Sequence, residues 1–74
     1  MQHFAYNGDF ITLGQFLKAA NLVQSGGEVK HMLNSGAILV NSECETRRGR
    51  KLRHGDHVQF GRDIYLLHSA DLAL

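Results

Sequence analysis

The hydrophobic period of this chain changes once, at Gly36, and that change constrains the fold more than any other feature. Before it, apolar residues recur with helical spacing; after it, they alternate as in strands. Leu13, Phe16, Leu17 and Ala20 stand at i, i+3, i+4 and i+7, one stripe of a helix. Thr12 is placed to cap it, with Gln15 three residues on to complete a capping box. Ile11 and Phe16 have the spacing of a hydrophobic staple. Asn21 is the expected stop. A second helix opens on Ser25 and Glu28, again with capping-box spacing. Its stripe is Val29, Met32 and Leu33, and Gly36 is suited to the left-handed turn that ends it.

From Ala37 the reading is strand and turn. Ala37–Val40 is a strand with Ile38 and Val40 on one face and Leu39 on the other. Asn41, Ser42 and Glu43 form a turn, and Cys44–Thr46 returns. Gly55-Asp56 marks a tight turn before His57–Phe60, whose Val58 and Phe60 face inward. Gly61-Arg62-Asp63 turns the chain into Ile64–His68, with Ile64 and Leu66 sharing a face. The chain has no proline, so glycine makes its turns. The expected class is α+β: two short N-terminal helices packed on a small antiparallel sheet, with residues 1–9 and 69–74 as tails around a domain at 10–68. Seventy-four residues suffice for one domain with a small core.

Charge is distributed as unevenly as period. Residues 46–54 contain five of the eight Lys and Arg residues and no acid, a formal +5; the remainder has three Lys or Arg against seven Asp or Glu, a formal −4. A short basic block on an acidic body points to phosphate backbones as its partner. The alternative is a solvated loop that only aids solubility. The single cysteine, Cys44, excludes an intramolecular disulfide and fits a reducing compartment. No apolar run approaches the roughly 18 residues that span a bilayer, and Met1–Asp9 has no signal-peptide pattern. A cytoplasmic protein is expected.

The order of these pieces resembles a known family. Ser25-Gly26-Gly27-Glu28-Val29-Lys30 opens the second helix, which runs through Met32-Leu33-Asn34-Ser35-Gly36 into Ile38-Leu39-Val40-Asn41-Ser42-Glu43. Gly55-Asp56-His57-Val58 follows twelve residues later. This resembles the S-four RNA-binding domain, named after the fourth protein of the small ribosomal subunit, over about residues 10–68. The Gln24–Gly27 start and the Arg47–Leu52 block most resemble the small stand-alone bacterial proteins of the YaaA and YbcJ type. The resemblance implies the fold called the alpha-L RNA-binding motif, a non-catalytic role, and structured RNA as partner, above all ribosomal RNA in ribosome assembly or translation. A monomer with no cofactor, no small-molecule substrate and no membrane partner is expected. Two positions depart from the family pattern: Gly26 stands where many members carry Arg, and Ser42 stands where the turn usually has Gly.

Arg47, Arg48, Arg50, Lys51 and Arg53 are the main candidates for phosphate contact, because guanidinium forks match pairs of phosphate oxygens. Gly49 lets neighbouring arginines project together. In an extended segment Leu52 would anchor inward, which favours Arg47, Lys51 and Arg53 as the outward set. The alternative for each is a solvated charge or an ion pair with Glu43 or Glu45. Ser25, Gly26 and Gly27 offer a second route, since a helix start presents unpaired N–H groups and glycines admit a close phosphate. Against that, Ser25 is simply a cap, the glycines serve helix packing, and Glu28 repels an anion. Lys30 and His31 extend this face, as do Lys18 and His54.

Five histidines and one cysteine show no metal-ligand spacing, and no nucleophile has a base near it. No helix carries several base-reading side chains as a duplex DNA reader would. The chain also lacks the paired exposed aromatics of a base-stacking sheet. The competing reading is a protein-interaction module whose basic block meets an acidic protein partner.

Overall fold

The computed structural model describes residues 1–71. Its elements are β1 (Gln2–Tyr6), β2 (Ile11–Thr12), α1 (Leu13–Ala19), α2 (Gly26–Asn34), β3 (Ile38–Val40), β4 (Glu43–Cys44), β5 (Lys51–Leu52), β6 (His57–Phe60) and β7 (Asp63–Ser69). Strands β1-β7-β6-β3-β4 form one sheet in that order, and β2 pairs with β5 in a separate two-stranded ladder. The class is α+β, as expected.

Both helices start where their caps are. The Thr12 hydroxyl accepts the Gln15 N–H, and the Gln15 side chain accepts the Thr12 N–H, closing the capping box. Asn21 ends α1 in the left-handed region, at φ +61°. On α2 the Ser25 hydroxyl accepts the Glu28 N–H, but the return bond from the Glu28 side chain is not formed, so only half of the expected box exists. Gly36, at φ +80°, follows the C-cap Ser35. The helical stripes deliver Leu13, Phe16, Leu17, Val29 and Leu33 to the core, where they meet Ile38, Val40, Val58 and Leu67 from the sheet. Phe16 stands edge-on to both Phe4 and Tyr65, with ring centroids 5.1 and 5.4 Å apart.

Three expectations need correction. Residues 1–9, read as a tail, contain β1, which pairs parallel with β7 from Gln2↔Tyr65 to Tyr6↔Ser69. The sheet is therefore mixed, not antiparallel; β7 has a free edge that the N-terminal segment fills, burying Tyr6 and half-burying Phe4. The face that β7 buries fully is Tyr65, Leu67 and Ser69, while Ile64 and Leu66 are half-buried on the other side. Ser69 thus belongs to the sheet rather than to the tail expected at 69–74; residues 72–74 of that tail lie outside the described residues.

The turn between β3 and β4 has two residues, because Val40 pairs directly with Glu43. Asn41 and Ser42 sit at φ +51° and +73°, the mirror-image turn that matches strand twist. The Asn41 side chain reaches beyond its own hairpin: its Nδ2 donates to the Asp56 carboxylate at 3.1 Å, and its Oδ1 accepts the His57 backbone N–H at 3.1 Å.

Candidate nucleic-acid interface

The basic block is not a free extended segment. It makes a turn at Arg48-Gly49, with the Arg50 N–H on the Arg47 carbonyl at 3.2 Å, and then becomes β5. The Leu13 N–H donates to the Arg50 carbonyl and the Gly14 N–H to the Arg48 carbonyl, each at 2.8 Å. These are unpaired donors of the first turn of α1, so the helix start is satisfied by the basic segment itself. Leu52 is fully buried, the inward anchor expected of it.

An acid holds each end of the block. Glu45 is buried just before it and accepts five hydrogen bonds: the N–H groups of Thr46 and Arg47 (3.0 Å each), Arg47 Nε (3.1 Å) and Nη2 (3.0 Å), and Arg50 Nη1 (3.1 Å). The Arg47 side-chain bonds, followed by its backbone N–H, hold the Glu45 carboxyl down to about 2; burial opposes this, and Arg50 adds to it. At the other end Asp56 accepts the Arg53 N–H at 2.8 Å while its second oxygen takes the Asn41 amide.

This scaffold sorts the cations. Arg47 and Arg50 share the Glu45 carboxylate, yet the Arg47 side chain remains 73% exposed and Arg50 33%. Arg48, Lys51 and Arg53 are exposed and, among the described residues, form no ion pair. A period of two does not describe the block, because the turn at Arg48-Gly49 breaks it. Arg48, placed by that period with the inward Leu52, is exposed, as are Arg47, Lys51 and Arg53.

Arg48 and Gly49 share a groove with Lys18 and Gln15 of α1 and Val29 of α2. Arg47, Gly49, Arg50 and Lys51 border a second, open hollow beside it. Both helices thus adjoin the basic segment, and Lys18 joins it. Ser25, Gly26, Gly27, Lys30 and His31 border neither hollow. Ser25 is an exposed cap, and Lys30 and His31 are exposed on α2. The glycines are not there for packing: a Cβ on Gly26 would have no atom within 4 Å, and on Gly27 only the Ser25 hydroxyl at 3.9 Å. His54 is partly committed to structure, since its Nδ1 accepts the Ser69 N–H at 3.0 Å and its ring stands edge-on to His68. His68 in turn meets His3, Nε2 to Nδ1, at 2.7 Å.

Two residues that shape this region escaped sequence reading. Gly14 lies within the expected first helix, and no local signal marks its contact with Arg48. Phe10 stands just ahead of the first helix, where no local signal marks a surface role, yet it is exposed beneath Lys51 and Arg53. The ion pair offered as the alternative for the arginines is made by Glu45 with Arg47 and Arg50, and not with Arg48, Lys51 or Arg53. Cys44 is exposed, and no group of three His, Cys, Asp or Glu side chains among the described residues is placed to hold a metal ion. No helix among them is long and apolar enough to cross a membrane.

Residues 4–67 match the family described as S4 domain. A Bacillus subtilis (strain 168) protein named "Probable ribosome maturation protein RlbA" is 55% identical over 51 residues, which cover 69% of this chain and 72% of that protein.

Proposed function

The chain belongs to the S4 domain family, and on that footing we propose that it is a non-catalytic RNA-binding protein of ribosome maturation, docking a basic face on the phosphates of structured ribosomal RNA. The observation that carries this reading is the display of the exposed Arg48, Lys51 and Arg53 on a backbone segment pinned by Glu45, Asp56 and the start of α1. A backbone held in place before binding loses little entropy on binding, and cations carried on it read the shape of a phosphate array rather than its sequence. Arg47 and Arg50 contribute guanidinium donors beyond those used on Glu45.

The two helices with the sheet that follows them constitute the alpha-L motif in this reading. Ser25, Gly26 and Gly27 admit a phosphate to the start of α2, with Lys30 and His31 beside it. The protein acts as a monomer in the cytoplasm. The relative's name, which assigns it to ribosome maturation, supports the ribosomal target.

With about four phosphates neutralised, the log–log salt slope is about −3 to −4, so moving from about 50 to 200 mM salt weakens binding roughly 100-fold. Reversing charge at two positions that leave the Glu45 clamp intact, Arg48→Glu and Lys51→Glu, tests the reading. Loss of binding with a shallower slope supports it. Unchanged affinity and slope contradict it and move the search to an acidic protein partner.

A further inference from the structure

Phe10 is an apolar side chain in the wrong place for a core. It is 38% exposed and immediately precedes β2. The register Ile11↔Leu52 and Thr12↔Lys51, continued by one residue, sets Phe10 opposite Arg53. Opposed residues in an antiparallel pair share a face, and successive residues alternate. Ile11 and Leu52 therefore point into the core, while Phe10, Lys51 and Arg53 point outward together. The Lys51 Nζ lies 4.8 Å from the Phe10 ring centroid and the Arg53 Cζ 5.7 Å from it, both within cation–π range.

A second observation adjoins the first. Arg53 also borders a hollow with Tyr6, Asp9, His54 and Asp71. Tyr6 is only 6% exposed, and its hydroxyl, which lies near the backbone of His54, makes no well-formed hydrogen bond among the described residues. A buried hydroxyl with bonding capacity to spare at the wall of a polar hollow marks a place for a ligand hydroxyl or a water. The carboxylates of Asp9 and Asp71 disfavour a phosphate there and suit a sugar hydroxyl, which can donate to them.

We propose that Phe10, Lys51 and Arg53 form a site for one unpaired ribonucleotide, with its base stacked on the Phe10 ring, its flanking phosphates on the two cations and its ribose hydroxyls in the hollow beside Tyr6. The proposal rests on the RNA-binding reading and deepens it, adding recognition of a splayed nucleotide to the docking on phosphates. Stacking on an aromatic ring tolerates any base, and the 2′-hydroxyl is the group that separates RNA from DNA. Lys51 and Arg53 are long enough to move from the ring to the phosphates as the base arrives.

The test uses two ribosomal RNA hairpins that differ by one bulged 2-aminopurine nucleotide, with the full chain and its Phe10→Leu variant. Phe10→Leu keeps an apolar side chain at an exposed site, and a thermal melt verifies folding. Phe10→Leu is expected to weaken binding of the bulged hairpin by about tenfold and to abolish the fluorescence change of the bulge, while the fully paired hairpin is bound as before. Equal effects on both hairpins, or none on either, overturn the inference and leave the proposed function standing. If the wild-type chain binds neither hairpin, both fall. Tyr6→Phe is expected to reduce the preference for a ribose over a deoxyribose at the bulge; an unchanged preference overturns the sugar contact.

Discussion

The Gly14 N–H donates to the Arg48 carbonyl at 2.8 Å, and a Cβ built on Gly14 would stand 3.3 Å from that same oxygen. The start of α1 and the crest of the basic segment are thus in tight contact. A side chain at position 14 requires the Arg48 backbone to give way by a few tenths of an ångström. Gly14→Val is expected to lower stability by about 2 kcal/mol through overpacking of a buried position. It should also weaken RNA binding, because Arg48 leaves its place. Urea denaturation and an RNA titration check the two effects; a variant with wild-type stability would show that the contact is slack.

Glu45 makes stability depend on acid. Its folded carboxyl is held at about 2 against an ordinary 4.5, so its contribution is complete above about 4.5 and is lost as pH falls toward 2. That contribution is about 2 kcal/mol, allowing for the water around Arg47. Glu45→Gln should lose most of it at neutral pH and should flatten the acid limb of the stability curve. Denaturation midpoints between pH 7 and pH 2 measure this. Parallel curves for the two proteins would mean that the clamp contributes nothing.

Ser42 holds φ +73° without the side-chain advantages of Asn or the freedom of Gly. Ser42→Gly is expected to raise stability by about 0.5–1 kcal/mol, since relief of the left-handed backbone exceeds the entropy that glycine adds to the unfolded chain. A rise in the thermal midpoint with unchanged RNA affinity is the expected result.

The start of α2 separates a structural glycine from a functional one. Nothing but the Ser25 hydroxyl lies near a Cβ on Gly27. Gly27→Ala should therefore leave stability unchanged or raise it by up to about 0.5–1 kcal/mol. If a phosphate approaches that backbone, the same change weakens RNA binding severalfold. Stable protein with full affinity would remove Ser25, Gly26 and Gly27 from the interface.

The parts legible in the sequence are those fixed by short-range physics. Thr12 and Ser25 cap their helices, Asn21 and Gly36 end them, and Leu52 anchors the basic segment, because each depends on neighbours a few residues away. Strand β1 was not legible: Gln2 finds its partner at Tyr65, and a parallel pairing over that separation leaves no local mark. Glu45 illustrates the same limit at the site. Its pairing with the arginines stood as the alternative reading, but its burial and its simultaneous hold on Arg47 and Arg50 follow from the turn at Arg48-Gly49, which alternation does not encode. Phe10 escaped because its exposure follows from the β2–β5 pairing, and the two short strands are separated by the whole helical region.

The most direct test compares binding to a structured ribosomal RNA fragment and to a DNA duplex of equal length across a salt titration, with the triple change Arg48→Ala, Lys51→Ala and Arg53→Ala in parallel. These substitutions spare the Glu45 clamp, so the fold should persist. Preference for RNA, a slope of about −3 to −4, and a variant slope shallower by about 2 to 3 are expected. Equal binding of RNA and DNA that the triple variant leaves intact would contradict a basic face built to dock on RNA.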